Sequence, residues 1–564
     1  MKKVVIIQQE AYNNSINYFW KEGISLKTLY YNGDIVTVND AQPTAEAVVV
    51  EEGKLAFVGD RATAEALLTA EDARVDLDGK TMLPGFIDGH GHIANMMAGL
   101  PHLYPAPNGT INSVEDLVSA LKDLLANGQA LENGWLYACG YDNAVYPDEA
   151  HPTRYDLDKV SREVPILVMH ASGHVGSVNS KAIELAGWTK DTPNENGVVL
   201  QHDENGELNG IIEERAIHVL MLNHVVQGLS PEFLMDIFVN TQKVYAAVGV
   251  TTGQEGAAAK ASLPLLEGCE AQGRMLIDVV AYIMEDYDPE LIPDDTAAQT
   301  YKGHVKIAGA KLVADGSPQG KTAWLTKPYY KVPAGQKDDY CGYPIYDDEK
   351  MTDYCVQALK HDWQMLVHCN GDAMGDQFIR CYKRAQEVTG NYKNLRPVMI
   401  HAQTVRDDQL DEMKALGMMP SFFHDHVYYW GDYHYESVLG PERASRISPL
   451  ASCVARDMPF TLHNDMPVTP INPIFNIHTA VNRITRGGRA LGTEYCVDVM
   501  EAIRAVTIYG AYQHFDEKIK GSLEEGKLAD MVLLDKNPLK VNPNDIKNIR
   551  VLETIKDGQT IYKA

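Results

Sequence analysis

The chain has 564 residues, 45% hydrophobic and 23% charged, with 77 acidic against 50 basic side chains and a formal net charge of -27. That composition excludes wholesale disorder and leaves room for a large domain with additions, and the acidic excess argues against a nucleic-acid partner, because phosphate is met by Lys and Arg. Eight cysteines without a Cys-x-x-Cys pair argue against a disulfide scaffold or zinc ribbon, and no apolar stretch approaches a membrane span, so a cytoplasmic chain without a membrane partner is expected.

Residues 1–27 read as a leader whose short apolar run is broken by Gln-Gln-Glu, unlike a signal-peptide core. The periodic pattern begins at "KTLYYNGDIVTVN", read as strand, Asn-Gly-Asp turn and strand, and "AEAVVVEEGKLAFVGD" repeats that form. Beyond Leu83, helical patterns such as "SVEDLVSALKDLLANG" alternate with short apolar runs: "VPILVMH", "VKIAGAKLVADG", "WQMLVHCNGD", "RPVMIHAQ" and "MPFTLHNDMP". Strands alternating with helices imply a parallel sheet. Several runs end in His or Asp beside Gly, Asn or Pro, which is where a (β/α)8 TIM barrel carries its active site. No Gly-rich phosphate fingerprint supports a doubly wound sheet instead. "KGSLEEGKLADMVLLDKNP" and "NIRVLETIKDGQTIYKA" are β-rich again. The expected organisation is a small β-sandwich domain from residues 28–82 and 519–564, a barrel over 83–518, and a subdomain inserted at about 103–230.

His90-Gly91-His92 places two imidazoles on one side of an extended chain, where they can reach one metal ion. A His-x-His pair alone is close to chance in a chain with 19 histidines, and His424-Asp425-His426 is a second one. Context separates them from chance. "LPGFIDGHGH" sets the first pair just after an apolar strand, and His368, His401 and Asp465 follow later strands. Imidazole nitrogen and carboxylate oxygen suit a divalent metal, most readily zinc, with a position left open for water.

"PGFIDGHGH" resembles the opening Pro-Gly-x-Ile/Val-Asp-x-His-x-His of the amidohydrolase superfamily, and "GSLEEGKLADMVLLD" resembles its closing segment. "HPTRYDLDKVS", "SGHVGSVNSKAIELAG", "HCNGDAMGDQ", "FFHDHVYYWGD" and "HNDMPVTPINP" narrow the resemblance to the YtcJ-like branch, from about residue 28 onward. The resemblance implies a barrel with one or two divalent ions. His90 and His92 match first-strand ligands, and His368 and His401 match ligands after strands five and six. Asp465 matches the eighth-strand residue that contacts metal and shuttles protons. Lys311 matches the lysine that some members carboxylate to bridge two metals; an ordinary Lys pairing with Asp315 is the other reading. A homodimer is also implied. Two positions depart from the pattern: Cys369 after His368 should point away from it, and Asn464 stands where Ser or Thr is common.

On the substrate side, His174, His424, His426, Tyr429 and Trp430 are candidates for the pocket wall, with loop hydrogen bonding and aromatic packing as the other readings. The expected chemistry is hydrolysis of a non-peptide carbon–nitrogen bond in a small molecule, an N-acyl or N-substituted formamide compound, with Asp465 as the catalytic proton carrier. Deamination, or ester or lactone hydrolysis, on the same site is the alternative. A non-catalytic regulatory relative should have lost Asp465 or several histidines, and this chain keeps them.

Overall fold

The computed structural model describes residues 26–564 except 106–108, 149, 172, 174, 195–197, 261 and 334. Eight strands form one parallel sheet: β1 (Phe86–Ile87), β2 (Val250–Ala258), β3 (Asp278–Met284), β4 (Val305–Val313), β5 (Met365–Cys369), β6 (Val398–His401), β7 (Met419–Phe422) and β8 (Thr461–Leu462). Their order in space is their order in the chain, and each neighbouring pair is parallel. This is a TIM-barrel-like α/β arrangement. Among the described residues no ladder joins β1 to β8. Gln513 spans that seam instead, donating from Nε2 to the Gly89 carbonyl at 2.7 Å and accepting from Thr461 Oγ1 at 2.7 Å.

The strands are buried on both faces, so they read as continuous apolar runs rather than alternating ones. On β5, Leu366 faces the barrel interior with Val280, Val398 and Ile400, while Met365, Val367 and Cys369 pack outward against the helical layer. The outward Cys369 agrees with strand alternation. Helices Asp348–Lys360, Asp372–Thr389 and Asp407–Ala415 belong to that layer. The longest ends where Gly390 takes the left-handed conformation (φ 65°).

Both ends of the chain meet in one mixed eight-stranded sheet. Met531–Leu534 runs antiparallel to Thr81–Pro84 and joins the C-terminal strands to the N-terminal ones. Their shared core holds Ile35, Val48, Leu55, Met82, Met531 and Ile555. The hairpin at Glu52-Gly53 forms as expected, with both residues at positive φ (49° and 75°). The turn expected at Asn32-Gly33-Asp34 does not form. Thr28–Val36 is one strand with an irregularity between Tyr31 and Ile35. Asn32 alone takes positive φ there (60°), which bulges a strand without reversing it.

Between β1 and β2 lies a five-stranded sheet, Leu136–Tyr141, Ile166–His170, Val175–Val178, Val198–His202 and Leu208–Glu214. The run "ILVMH", read with the barrel strands, belongs to this sheet. Tyr104 reaches from the same insertion toward the barrel mouth, donating its hydroxyl to the Pro467 carbonyl at 3.2 Å. All eight cysteines are free, and among the described residues no helix is long and apolar enough to cross a membrane.

Candidate metal centre

His90 and His92 follow β1 at the C-terminal end of the barrel. Their segment is clamped to β2 by Gly256 N–H to the Gly91 carbonyl at 2.8 Å, and to the β8 loop by His92 N–H to the Met466 carbonyl at 3.0 Å. Gly256 is required here, since a Cβ at that position would collide with the His90 ring. Asp465 sits in the β8 loop at φ 55°, a conformation that Asp tolerates better than most residues.

The two Nε2 atoms converge on one carboxylate oxygen. His92 Nε2 lies 3.3 Å and His90 Nε2 3.7 Å from Asp465 Oδ1, and the ligand atoms of the three residues all lie within 4.8 Å of one another. Lys311, buried at the end of β4, brings Nζ to 3.3 Å from His90 Nε2. The His401 ring lies 5.5 Å from that of His90 and 4.5 Å from that of His368. Strand alternation would turn His401 outward with Met399; its φ of 72° breaks the strand and brings the imidazole to the other histidines. Lys311 does not need Asp315 as a partner. Asp315 accepts the backbone N–H groups of Trp324, Asn370 and Gly371 at 2.8–3.1 Å and faces His368 Nδ1 at 3.3 Å.

Burial and charge work against each other here. Burial lowers the His92 pKa, but the carboxylates of Asp465 and Glu255 beside the ring outweigh it and lift the pKa to about 9. Burial raises that of Asp465, yet His92, His463 and Lys311 carry it below the usual carboxylate value. For Lys311, burial prevails over Asp465 and Glu255 and brings the pKa down to about 8. Burial, with neighbouring cations second, holds His90 and His401 neutral. The donor set fits a divalent metal. The imidazoles of His90 and His92 and the ionised Asp465 carboxylate converge, and Asp465 Oδ1 and His401 Nδ1 are buried without a hydrogen-bond partner.

The amidohydrolase family model matches residues 73–562. The chain belongs to the amidohydrolase family. As a member it is a metal-dependent hydrolase acting on carbon–nitrogen bonds. It is 24% identical to the putative amidohydrolase YtcJ of Bacillus subtilis (strain 168), covering 95% of this chain and 100% of that one. It is also 24% identical to the N-substituted formamide deformylase of Arthrobacter pascens, over 94% of this chain and 97% of the relative. In fold it is similar to an uncharacterized metal-dependent hydrolase from Pyrococcus horikoshii OT3, at a TM-score of 0.73 and 24% identity, covering 92% of this chain and 99% of the other.

Other residues surround this amidohydrolase centre. His424 and His426 follow β7 and are fully buried. His426 Nδ1 pairs with His434 Nε2 at 3.0 Å, and its ring packs 4.6 Å from both Phe423 and Trp430. Tyr429 and Trp430 are partly exposed, and Tyr429 lies beside Phe475 and Arg486. His174 lies outside the described residues. Asn464 donates to Asp425 Oδ2 at 2.7 Å and accepts from Asn472 N–H at 2.9 Å, a buried network behind Asp465. Four neighbours escaped the sequence reading: Gln254, Glu255, Asp315 as a partner of His368, and His463. The His463 ring lies 5.2 Å from those of both His90 and His401. His463-x-Asp465 carried a signal, two residues on one side of an extended chain, but "GQEG" resembles no ligand motif. A separate cleft of about 880 Å³, lined by Asp40, Arg504, Tyr509 and Glu524 among others, shares no lining residue with the centre.

Proposed function

We propose that the chain hydrolyses a non-peptide amide bond of a small molecule, of the N-acyl or N-substituted formamide type. His90, His92, His368, His401 and Asp465 would hold the divalent metal, with zinc the best match to their nitrogen and oxygen donors. The observation that carries this reading is Asp465 Oδ1: buried, without a hydrogen-bond partner, and within 3.7 Å of two imidazole Nε2 atoms. When bound, a divalent cation supplies the Lewis acidity that makes water nucleophilic near neutral pH. Asp465, kept ionised by His92, takes the proton that the attacking water loses. Water oxygen bonds to the carbonyl carbon, the C–N bond breaks, and Asp465 returns the proton to the departing nitrogen. The products are a carboxylic acid and an amine.

The name of the Arthrobacter relative supports the formamide class. Tyr429, Trp430 and Phe475 form an aromatic group that suits an apolar or aryl substituent on nitrogen. We also propose that Lys311 is carboxylated. A pKa brought down to about 8 by burial makes neutral amine available, and carbon dioxide adds to that form with loss of a proton. In this reading residues 28–82 and 519–564 form one β-sandwich domain beside a barrel over 83–518. The test is a panel of aryl and alkyl formamides and N-acyl amines with metal-loaded protein, read by amine release. Amine without ammonia supports the proposal. Ammonia release alone assigns a deaminase, and no turnover of any amide overturns the reading.

A further inference from the structure

His90 and His92 meet β2 on the ring side opposite the carboxylate. His90 Nδ1 lies 2.6 Å from Gln254 Oε1, and His92 Nδ1 lies 3.7 Å from Glu255 Oε1. Both Nε2 atoms face the same oxygen of Asp465. Gln254 and Glu255 are adjacent on a strand, where successive side chains ordinarily diverge. Here the segment carrying the histidines lies along β2, with Ile93 N–H on the Gln254 carbonyl at 3.3 Å and a bridge between His92 and Glu255.

The orientation of each group is fixed. Gln254 Nε2 donates to the Gly89 carbonyl at 2.9 Å, so its amide oxygen must be the atom facing His90. An amide oxygen only accepts, so His90 Nδ1 carries the proton and Nε2 presents a lone pair. Lys311 Nζ, a donor, faces that same Nε2. Glu255 is held by Ala94 N–H on Oε2 at 2.8 Å and Ala257 N–H on Oε1 at 3.1 Å. Its 3.7 Å approach to His92 exceeds hydrogen-bond length, so it acts on the ring by charge.

We propose that Gln254 and Glu255 are positioning residues for the metal centre, each holding one first-strand histidine at Nδ1 so that both Nε2 atoms face Asp465. The pair is graded: His90 meets a neutral amide and His92 a carboxylate, so His92 is the more basic ligand. Partners of this kind set ring orientation and ligand basicity, and losing one typically weakens metal binding about 10–100-fold. Burial supports the role, since Gln254 and Glu255 are 0% and 3% exposed and polar groups so placed are kept only when satisfied.

The inference rests on His90, His92 and Asp465 holding the metal, and the experiment separates the two. Apo protein is titrated with cobalt(II), reading affinity and the visible absorption bands, for wild type, His92→Ala, Gln254→Leu, Gln254→Glu and Glu255→Leu, with the thermal midpoint of each apo form. The expected result is that both Leu variants bind cobalt about 10–100-fold more weakly with altered bands. Their apo midpoints stay near that of wild type, and Gln254→Glu, which keeps an acceptor at His90 Nδ1, recovers most of the affinity. Wild-type affinity and bands in both Leu variants, with binding lost in His92→Ala, overturn the positioning role and leave the metal site standing. Wild-type binding in His92→Ala overturns the site itself. Should the Leu variants not fold, 15N-imidazole spectra of the wild-type apo protein decide: a proton on His90 Nδ1 is expected, and a proton on Nε2 alone refutes the proposal.

Discussion

Asp465→Asn tests the proton carrier proposed above. Asn has the size of Asp and shares its tolerance of the left-handed backbone found here (φ 55°), so the loop after β8 keeps its path. What disappears is the charge and the basic oxygen. Losing a general acid–base costs about 10²–10⁴ in kcat, equivalent to about 2.7–5.4 kcal/mol of transition-state stabilisation at 1.36 kcal/mol per tenfold. A second effect comes from charge. Asp465 Oδ1 lies 3.3 Å from His92 Nε2, and at an effective dielectric of ~20 that pair attracts by about 5 kcal/mol before burial is subtracted. Its loss should let the His92 pKa fall from about 9. The assay is kcat per bound metal on the best amide found, beside 15N-imidazole titration of the metal-free protein. A variant retaining wild-type kcat per bound metal, within a factor of about three, would refute Asp465 as the proton carrier.

Exhaustive dialysis against a strong chelator should abolish turnover and added divalent metal should restore it; turnover untouched by chelation would sink the hydrolytic reading. On the proposal that a carboxylated Lys311 bridges two ions, Lys311→Ala should lower the metal count per chain, and an unchanged count removes the bridging role. Acid should weaken the metal-free fold through histidines off the centre. Burial depresses His434 to about 3 and His514 to about 4, against an ordinary value of 6.5. Both are neutral in the fold and protonate more readily when unfolded. Their stabilisation is therefore complete above pH 6.5 and is lost as pH falls toward the folded values. At pH 5 each has lost about 2 kcal/mol, at 1.36 kcal/mol per pKa unit. A denaturation midpoint unchanged between pH 7 and 5 would contradict this.

Much of the centre was legible because barrel topology converts sequence position into spatial position: a polar residue ending a strand reaches the mouth whatever its distance along the chain. His90, His92, Lys311 and Asp465 follow this rule directly. His401 does not, because its inward turn depends on a positive φ that no side-chain pattern reveals. Gln254 and Glu255 were invisible for another reason. Their contacts depend on the 90–93 segment lying along β2, a tertiary pairing without a motif. The Asn32-Gly33 turn misled because the same dipeptide serves hairpins and bulges, and only the partner strands decide between them.

Burial alone does not set the candidate metal-site carboxylate of this barrel apart; the combination of pairing and charge does. At the opposite end from the histidines, Asp278 faces Lys520 and Lys556, Asp530 faces Lys556 at 3.2 Å, and Asp516 faces Lys306 at 2.8 Å. Each of these charges has its opposite, and the cluster ties β3 and β4 to the C-terminal segment. Glu285, just after β3, is buried with neither oxygen hydrogen-bonded, and burial raises its pKa well above the usual carboxylate range. Asp465 differs from both groups. It has an unpartnered oxygen like Glu285, yet His92 keeps it ionised. A buried carboxylate oxygen without a hydrogen-bond partner and two imidazole nitrogens around it are three lone-pair donors aimed at one point, and a divalent cation is the simplest group that satisfies all three.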